Sequence, residues 1–106
     1  MEQKQINVIE AGNVYEIPEV EGEGAQRLTF IKKEKNEAVE ELVTVWDGVT
    51  NEGVLEVLIH RLNWLNELMP SSYNEEALRN LIGAREALRA RTENRVARGV
   101  EGTSNQ

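Results

Sequence analysis

Arginines are the residues of this chain whose type and spacing point most directly to chemistry. Arg91 and Arg95 are four positions apart and Arg98 lies three further along, so on a helix all three project from nearly one side. No acidic residue lies three or four positions from Arg91 or Arg95, and only Glu101 can answer Arg98. Uncompensated guanidinium groups are suited to phosphate, which they bind through paired hydrogen bonds. The alternative is solvated cations that the negative end of a helix dipole favours.

Other charges in the same region have acidic partners at helical spacing. Glu75 precedes Arg79 by four positions, and Arg89 precedes Glu93 by four. We therefore expect these two arginines to be engaged within their own helix, which leaves the later cluster as the anion-binding candidate.

Trp64 and Asn74 form a second candidate pair. A reversal of the chain at Pro70 would bring both toward the same end of a helical hairpin, where the indole could stack on a purine and the amide could hydrogen bond to it. The alternative is that Trp64 closes a hydrophobic seam and Asn74 assists the helix start. Arg91 and Arg95 would lie near the far end from Asn74, so they would serve a different site unless several hairpins pack together.

Enzymatic and metal chemistry find little support in the residues. His60 is the only histidine, there is no cysteine, and no Gly-x-Ser-x-Gly turn supports a serine nucleophile. The carboxylate pairs Glu40-Glu41 and Glu75-Glu76 are adjacent in sequence, so they do not face one another across a cleft. Metal-ligand spacings and a phosphate loop are also missing. We predict a binding protein that is no enzyme and uses neither a metal nor a cofactor.

Charge and hydropathy restrict the partners. The chain has 106 residues and a net charge of −7, which repels polymeric nucleic acid. The charge is uneven: residues 1–49 carry −6 and residues 75–106 carry +1. No window is apolar enough for a membrane helix, and the polar start of the chain does not resemble a secretory signal. We expect a cytosolic protein that does not bind membranes, and its small size makes self-association a possibility.

The elements that would position these residues fall into two classes, which together predict an α+β fold. Short alternating runs in residues 1–49 predict a small antiparallel sheet. Its strands would be residues 5–9 and 13–17 around a Glu10-Ala11-Gly12 turn, then residues 27–31 and 42–46 around a charged connection, with a loop at residues 18–24. The second and third strands need not be neighbours.

Residues 50–106 are predicted to form an antiparallel two-helix hairpin with a C-terminal tail, and the whole chain to form one functional domain. The first helix would cover 51–69, with Thr50 or Asn51 as its cap and a buried stripe of leucines at three-to-four spacing. Its apolar positions are Val54, Leu55, Leu58, Leu62, Leu65, Leu68 and Met69. The second would cover about 73–97, opened by a capping box of Ser72 and Glu75 and stopped by Gly99.

Two segments carry a family resemblance. Asn51-Glu52-Gly53-Val54-Leu55-Glu56-Val57-Leu58-Ile59-His60-Arg61-Leu62 and the ending Arg-Thr-x-x-Arg-x-x-Arg-Gly-Val-Glu-Gly-Thr, at residues 91–103, resemble the phage Thoeris anti-defence sponge family. Members share the helical hairpin with the phage anti-CBASS cyclic-oligonucleotide sponge. The resemblance covers about residues 42–103, and the ending is its specific part.

The resemblance implies a protein that sequesters a signal without altering it. Its ligands would be cyclic ADP-ribose isomers made by bacterial TIR-domain enzymes, together with cyclic di- and trinucleotides at separate sites of a homohexamer in the cytoplasm of an infected bacterium. By position, the stacking aromatic falls on Trp64, the contacting asparagine on Asn74, and the cyclic-nucleotide arginines on Arg91 and Arg95. Other candidate ligand-binding residues are Arg61, Arg98 and Thr103.

Two other functions remain open. The chain could be a phage interaction protein that docks on a host protein through its acidic sheet or a hairpin face. A phosphodiesterase or glycohydrolase would be the third class, and it would degrade the ligand that a sponge retains.

Overall fold

The computed structural model describes residues 4–36, 38 and 41–97, and these form five strands followed by two helices. The strands are β1 (Asn7–Glu10), β2 (Val14–Pro18), β3 (Ala25–Thr29), β4 (Lys32–Asn36) and β5 (Glu41–Trp46). The helices are α1 (Asn51–Leu68) and α2 (Ser72–Ala97). The predicted α+β class, with an antiparallel sheet before a helical pair, is confirmed. None of the helices in these ranges is long and apolar enough to cross a membrane.

The first three strands form an antiparallel sheet in the order β1-β2-β3. The turn between β1 and β2 has Gly12 at a φ of 85°, a left-handed conformation that glycine adopts without strain. Its backbone N–H donates to the Tyr15 hydroxyl at 2.7 Å. Strands β2 and β3 pair in unbroken register from Val14 opposite Thr29 to Pro18 opposite Ala25. The sequence did not require β2 and β3 to be neighbours, and the structure shows that they pair directly.

The remaining two strands show where the strand prediction was wrong. β4 and β5 pair as a separate two-stranded sheet, whereas the sequence pattern assigned residues 32–36 to a connection and paired residues 27–31 with 42–46. The missed strand reads Lys-Lys-Glu-Lys-Asn and has no apolar alternation. It is stabilised instead by Lys32, whose ammonium lies 2.9 Å from a Glu10 carboxylate oxygen and 4.5 Å from the centre of the Trp46 ring.

A close backbone approach fixes the segment before α1. The Val49 N–H donates to the Thr29 carbonyl and the Ile31 N–H donates to the Val49 carbonyl, both at 2.9 Å. A Cβ at Gly48 would lie 2.5 Å from the Thr29 carbonyl oxygen, so no larger residue fits there without a backbone shift. Contacts divide the chain into two compact units, one comprising β1–β3 with residues 43–49 and the other comprising both helices.

Side-chain caps determine where both helices begin. The Thr50 hydroxyl accepts from the Gly53 N–H at 3.1 Å, so Thr50 and not Asn51 is the cap of α1. The cap of α2 is Ser71 and not the predicted Ser72, because the Ser71 hydroxyl accepts from the N–H groups of Tyr73 and Asn74 at 3.1 and 3.4 Å. The predicted capping box is therefore wrong by one residue. The predicted stop at Gly99 lies outside the described residues.

The helices pack through a different face of α1 from the predicted one. Ile59 and Leu78 are the buried apolar residues of the described chain, at 6% and 8% exposure. The sequence pattern placed Leu58 in the buried stripe of α1, yet Leu58 is 41% exposed and its neighbour Ile59 faces α2 instead. Leu68 and Met69, also assigned to that stripe, are exposed. Half-buried positions of α2 recur at Leu81, Arg85, Leu88, Thr92 and Arg95. The seam is thus part apolar and part charged.

Candidate functional site

An open groove runs along the outer face of α1. Its volume is about 780 Å³, within the range of small-molecule sites. Its lining residues all belong to α1: Glu56, Val57, His60, Arg61 and Trp64. Their spacing of three and four positions places them side by side on one helical face. Two sequence candidates, Arg61 and Trp64, are therefore brought together, and they lie three residues apart on a regular helix.

The groove overlaps an exposed apolar stripe on α1, which packing against α2 does not bury. Val57, Trp64 and Leu68 are 67%, 54% and 61% exposed, although each is large and apolar. They follow one another at seven and four positions, so they share the outer face of α1. The Trp64 indole consequently offers an accessible ring face of the kind that stacks on a nucleobase.

Two arginines of α2 hold one of the groove residues, Glu56, in an ion-pair network. The Glu56 carboxylate accepts from Arg85 Nη1 at 3.2 Å and from Arg89 Nη2 at 2.8 Å. The same two arginines also contact Glu86, at 3.0 Å from Arg85 Nε and 3.4 Å from Arg89 Nη1. The Arg85 side chain is 20% exposed, so this network is partly shielded from solvent. The groove lining itself holds one guanidinium, that of Arg61, and one carboxylate, that of Glu56, whose charge is already paired with the two α2 arginines.

The network also corrects the expected pairing of arginines within α2. Arg89 contacts Glu56 and Glu86, and no ion pair with Glu93 forms in the described part of the chain. The spacing of four residues made Glu93 the predicted partner, but packing against α1 offers a carboxylate at shorter range. Among the ion pairs of residues 41–97 there is likewise none between Glu75 and Arg79.

The structure does not include Asn74 in the lining of the groove. It occupies the first turn of α2, is half-buried, and donates its backbone N–H to the Ser71 cap. Trp64 lies four residues before the end of α1, so both residues are near the turn of the hairpin, as the sequence predicts. Asn74 is nevertheless not among the groove residues.

Arg91 and Arg95 lie toward the opposite end of the hairpin. They are 17 and 21 residues beyond Asn74 in the same helix, which corresponds to about 26 and 32 Å. Arg91 is exposed and Arg95 is half-buried, so the two arginines have different surroundings despite their spacing. Within one chain they belong to a separate surface. Arg98 and Thr103 lie outside the described residues.

Sequence reasoning missed Glu56 and Val57 as groove residues, and considered His60 only for catalysis. The spacing of 57, 60, 61 and 64 could have placed Val57 and His60 beside Trp64. Nothing in the spacing shows that Glu56 is contacted by Arg85 and Arg89, which are 29 and 33 residues away. In the described ranges no group of three or more His, Asp or Glu residues is arranged to hold a metal ion.

Comparison with known proteins finds no matching family model, no matching curated protein and no matching solved structure.

Proposed function

We propose that this protein is a non-catalytic sponge that binds cyclic ADP-ribose isomers in the α1 groove, and cyclic di- or trinucleotides at a second site that uses Arg91 and Arg95. The observation that carries the proposal is the exposed Trp64 ring beside the Arg61 guanidinium in a groove of small-molecule size. The indole would stack on the base and the guanidinium would neutralise a phosphate.

The groove suits a ligand that two subunits share. Its lining comes from one helix, so a bound molecule would be covered on one side by a single chain. The exposed stripe of Val57, Trp64 and Leu68 would be buried if a second copy packed across it. Assembly into a homo-oligomer, a hexamer by the resemblance, would also bring Asn74 of a neighbouring chain near a groove. Oligomeric pockets formed before binding reduce the ordering cost of capture.

Sequestration needs tight binding and no turnover. A dissociation constant of about 1 nM corresponds to roughly −12.3 kcal/mol, which stacking and several charge-assisted hydrogen bonds must supply together. We propose that the protein acts in the cytoplasm of an infected bacterium, where the signal is made.

Titration calorimetry with a panel of cyclic ADP-ribose isomers and cyclic di- and trinucleotides tests the proposal. We expect tight binding of at least one ADP-ribose isomer and recovery of that ligand unchanged after the protein is denatured by heat. Native mass measurement with and without the ligand gives the number of subunits and sites. A catalytic decrease of the ligand would assign the protein to the hydrolases, and a complete lack of binding would remove the sponge function.

A second function is favoured by the surface of the sheet. Ile6, Val8 and Ile9, in and beside the edge strand β1, are between 51% and 56% exposed, and residues 1–49 carry a net charge of −6. An apolar edge surrounded by acidic residues could dock on a basic surface of a host protein. Substituting Val8 with lysine should abolish such docking and leave nucleotide binding unchanged.

A further inference from the structure

Glu56 is an unexpected residue in a groove proposed to bind an anion. Its side chain is 45% exposed and lines the same groove as Trp64 and Arg61. A carboxylate repels phosphate, so its presence needs a reason beyond the capture of negative charge. Packing between the helices gives a partial reason, because Glu56 pairs with Arg85 and Arg89. That pairing does not explain why only one of the two carboxylate oxygens is used.

Both arginines bind the same oxygen of Glu56. Arg85 Nη1 and Arg89 Nη2 each donate to Oε1, at 3.2 and 2.8 Å, and no hydrogen bond from the described residues ends on Oε2. The carboxylate is therefore held in a defined orientation by one oxygen while the other can accept further hydrogen bonds. An ionised carboxylate accepts only, so its partner in a ligand must be a donor.

The position of Glu56 along the groove indicates which donor this is. Glu56 and Trp64 are eight residues apart, or about 12 Å along the helix, with Arg61 between them. That length accommodates a base stacked on the indole, the phosphates beside Arg61, and the ribose beyond the phosphates of an ADP-ribose isomer beside Glu56. Ribose carries hydroxyl donors, whereas a bare phosphate or polyphosphate carries none to spare and would be repelled.

We propose that Glu56 is a specificity-determining ligand contact, which accepts hydrogen bonds from ribose hydroxyl groups through Oε2 while Arg85 and Arg89 hold it through Oε1. The inference rests on the proposed function, because it requires a nucleotide stacked on Trp64. The Glu56 contact would select ligands with a free ribose hydroxyl over deoxyribose analogues and over simple phosphates.

The chain offers a matched control in Glu86. Glu86 contacts the same two arginines, yet it does not line the groove. Glu86→Gln therefore removes a comparable share of the ion-pair network without touching the ligand. In Glu56→Gln, the arginines require an oxygen, so they turn the amide NH₂ toward the groove. A donor then faces the ribose hydroxyl in place of an acceptor.

The test measures dissociation constants for the parent, Glu56→Gln and Glu86→Gln proteins. The probes are the cyclic ADP-ribose isomer with the highest affinity for the parent and its analogues with a single ribose hydroxyl replaced by hydrogen. We expect Glu56→Gln to weaken binding about tenfold or more, as for the loss of a charged hydrogen bond, and Glu86→Gln to change it less than about threefold. One deoxy analogue should bind the parent more weakly and lose little further affinity in Glu56→Gln, because the two changes remove the same bond.

Two results would overturn the inference and leave the sponge function standing: equal affinities of the two glutamine variants, or a deoxy penalty that persists in full in Glu56→Gln. A parent protein that binds none of the isomers would instead remove the proposed function and this inference with it. Circular dichroism melts of both variants check that their hairpins are equally folded.

Discussion

Two stretches of α2 contain arginines at the same helical spacing and use them differently. Arg85 and Arg89 are four residues apart and contact Glu56 of α1 and Glu86 of their own helix. Arg91 and Arg95 are also four residues apart, yet Arg91 is exposed and its guanidinium forms no ion pair within the described chain. Spacing alone therefore does not distinguish a structural arginine from one that is available to a ligand.

The difference comes from which side of the hairpin each residue faces. Arg85 lies on the seam, where a carboxylate of α1 is within reach. Arg91 follows Arg89 by two residues, and because the helix turns about 100° per residue the two side chains leave it on roughly opposite sides. Removing arginines of the first stretch should thus affect folding, and removing Arg91 should affect binding. Variants of Arg91 and Arg85 test this division directly, and variants of Trp64 and Lys32 test the groove and an ion pair of the other unit.

The largest effect is expected for Trp64→Ala. Loss of stacking on one base is worth about 1–3 kcal/mol, so affinity for a cyclic ADP-ribose isomer should decrease up to about a hundredfold. Calorimetry measures this change, and native mass measurement distinguishes a lost ligand contact from a lost subunit contact of the same stripe. Trp64→Phe is the matched control and should retain most of the affinity. Equal binding by Trp64→Ala and the parent would contradict the stacking role.

Arg91→Ala should weaken binding of cyclic di- or trinucleotides and not that of the ADP-ribose isomer, the reverse of Trp64→Ala. A charge-assisted contact to phosphate is worth about 1.5 kcal/mol or more, which corresponds to at least about a tenfold loss of affinity for cyclic di- or trinucleotides. Binding of the ADP-ribose isomer should be unchanged, because Arg91 lies on a different surface from the groove. Equal loss for every ligand would point to damaged assembly and would end the separation of the two sites.

Arg85→Ala should reduce stability where Arg91→Ala does not. The Arg85 side chain is 20% exposed and contacts two carboxylates that are about half exposed, so solvent screening limits the loss to about 1 kcal/mol. Arg91→Ala should stay within about 0.5 kcal/mol of the parent, as exposed substitutions do. Urea unfolding followed by circular dichroism compares the two. Equal stabilities would mean that the network around Glu56 contributes nothing measurable to folding.

The smallest effect concerns a cation of the other unit, and it depends on pH. The hydrogen bond with Glu10 raises the pKa of Lys32 above its ordinary 10.5, aided by the negative charges of Glu10 and Glu34 and opposed by desolvation. A raised pKa in the folded state means that the stabilisation is complete below about pH 10.5 and is lost as pH rises through the folded value. Arginine stays charged there, so the pairs of Arg85 and Arg89 should persist.

Lys32→Arg is the matched control for this titration. As pH rises above about 10.5 the parent should lose stability relative to Lys32→Arg, because only the lysine pair discharges. Urea unfolding followed through Trp46, whose ring lies 4.5 Å from the ammonium, measures the difference. Parallel pH profiles of the two proteins would show that the Glu10 contact adds no stability. Tyrosine ionisation affects both proteins alike and cancels in the comparison.

Periodicity predicted the helices well because their residues are strongly patterned. The observed bounds of 51–68 and 72–97 differ by one residue at most from those predicted, and Thr50, one of the two predicted candidates, caps α1. The buried stripe was less predictable, since Leu58 and Ile59 are equally apolar neighbours and only the approach of α2 decides which one is covered. Strand β4 could not be predicted from alternation, because its residues are almost all charged and it is stabilised by contacts with Glu10 and Trp46.

The candidate site divides in the same way. The helical positions of Arg61, Trp64, Arg91 and Arg95 follow from the sequence, because a regular helix fixes the angle and rise between residues. Tertiary structure decided that Glu56 is held by two arginines from the other helix, that Arg89 is engaged there and not by Glu93, and that the outer face of α1 is open. Those contacts join residues about thirty positions apart, and local spacing carries no information about which of several charges the packing of two helices will bring into range.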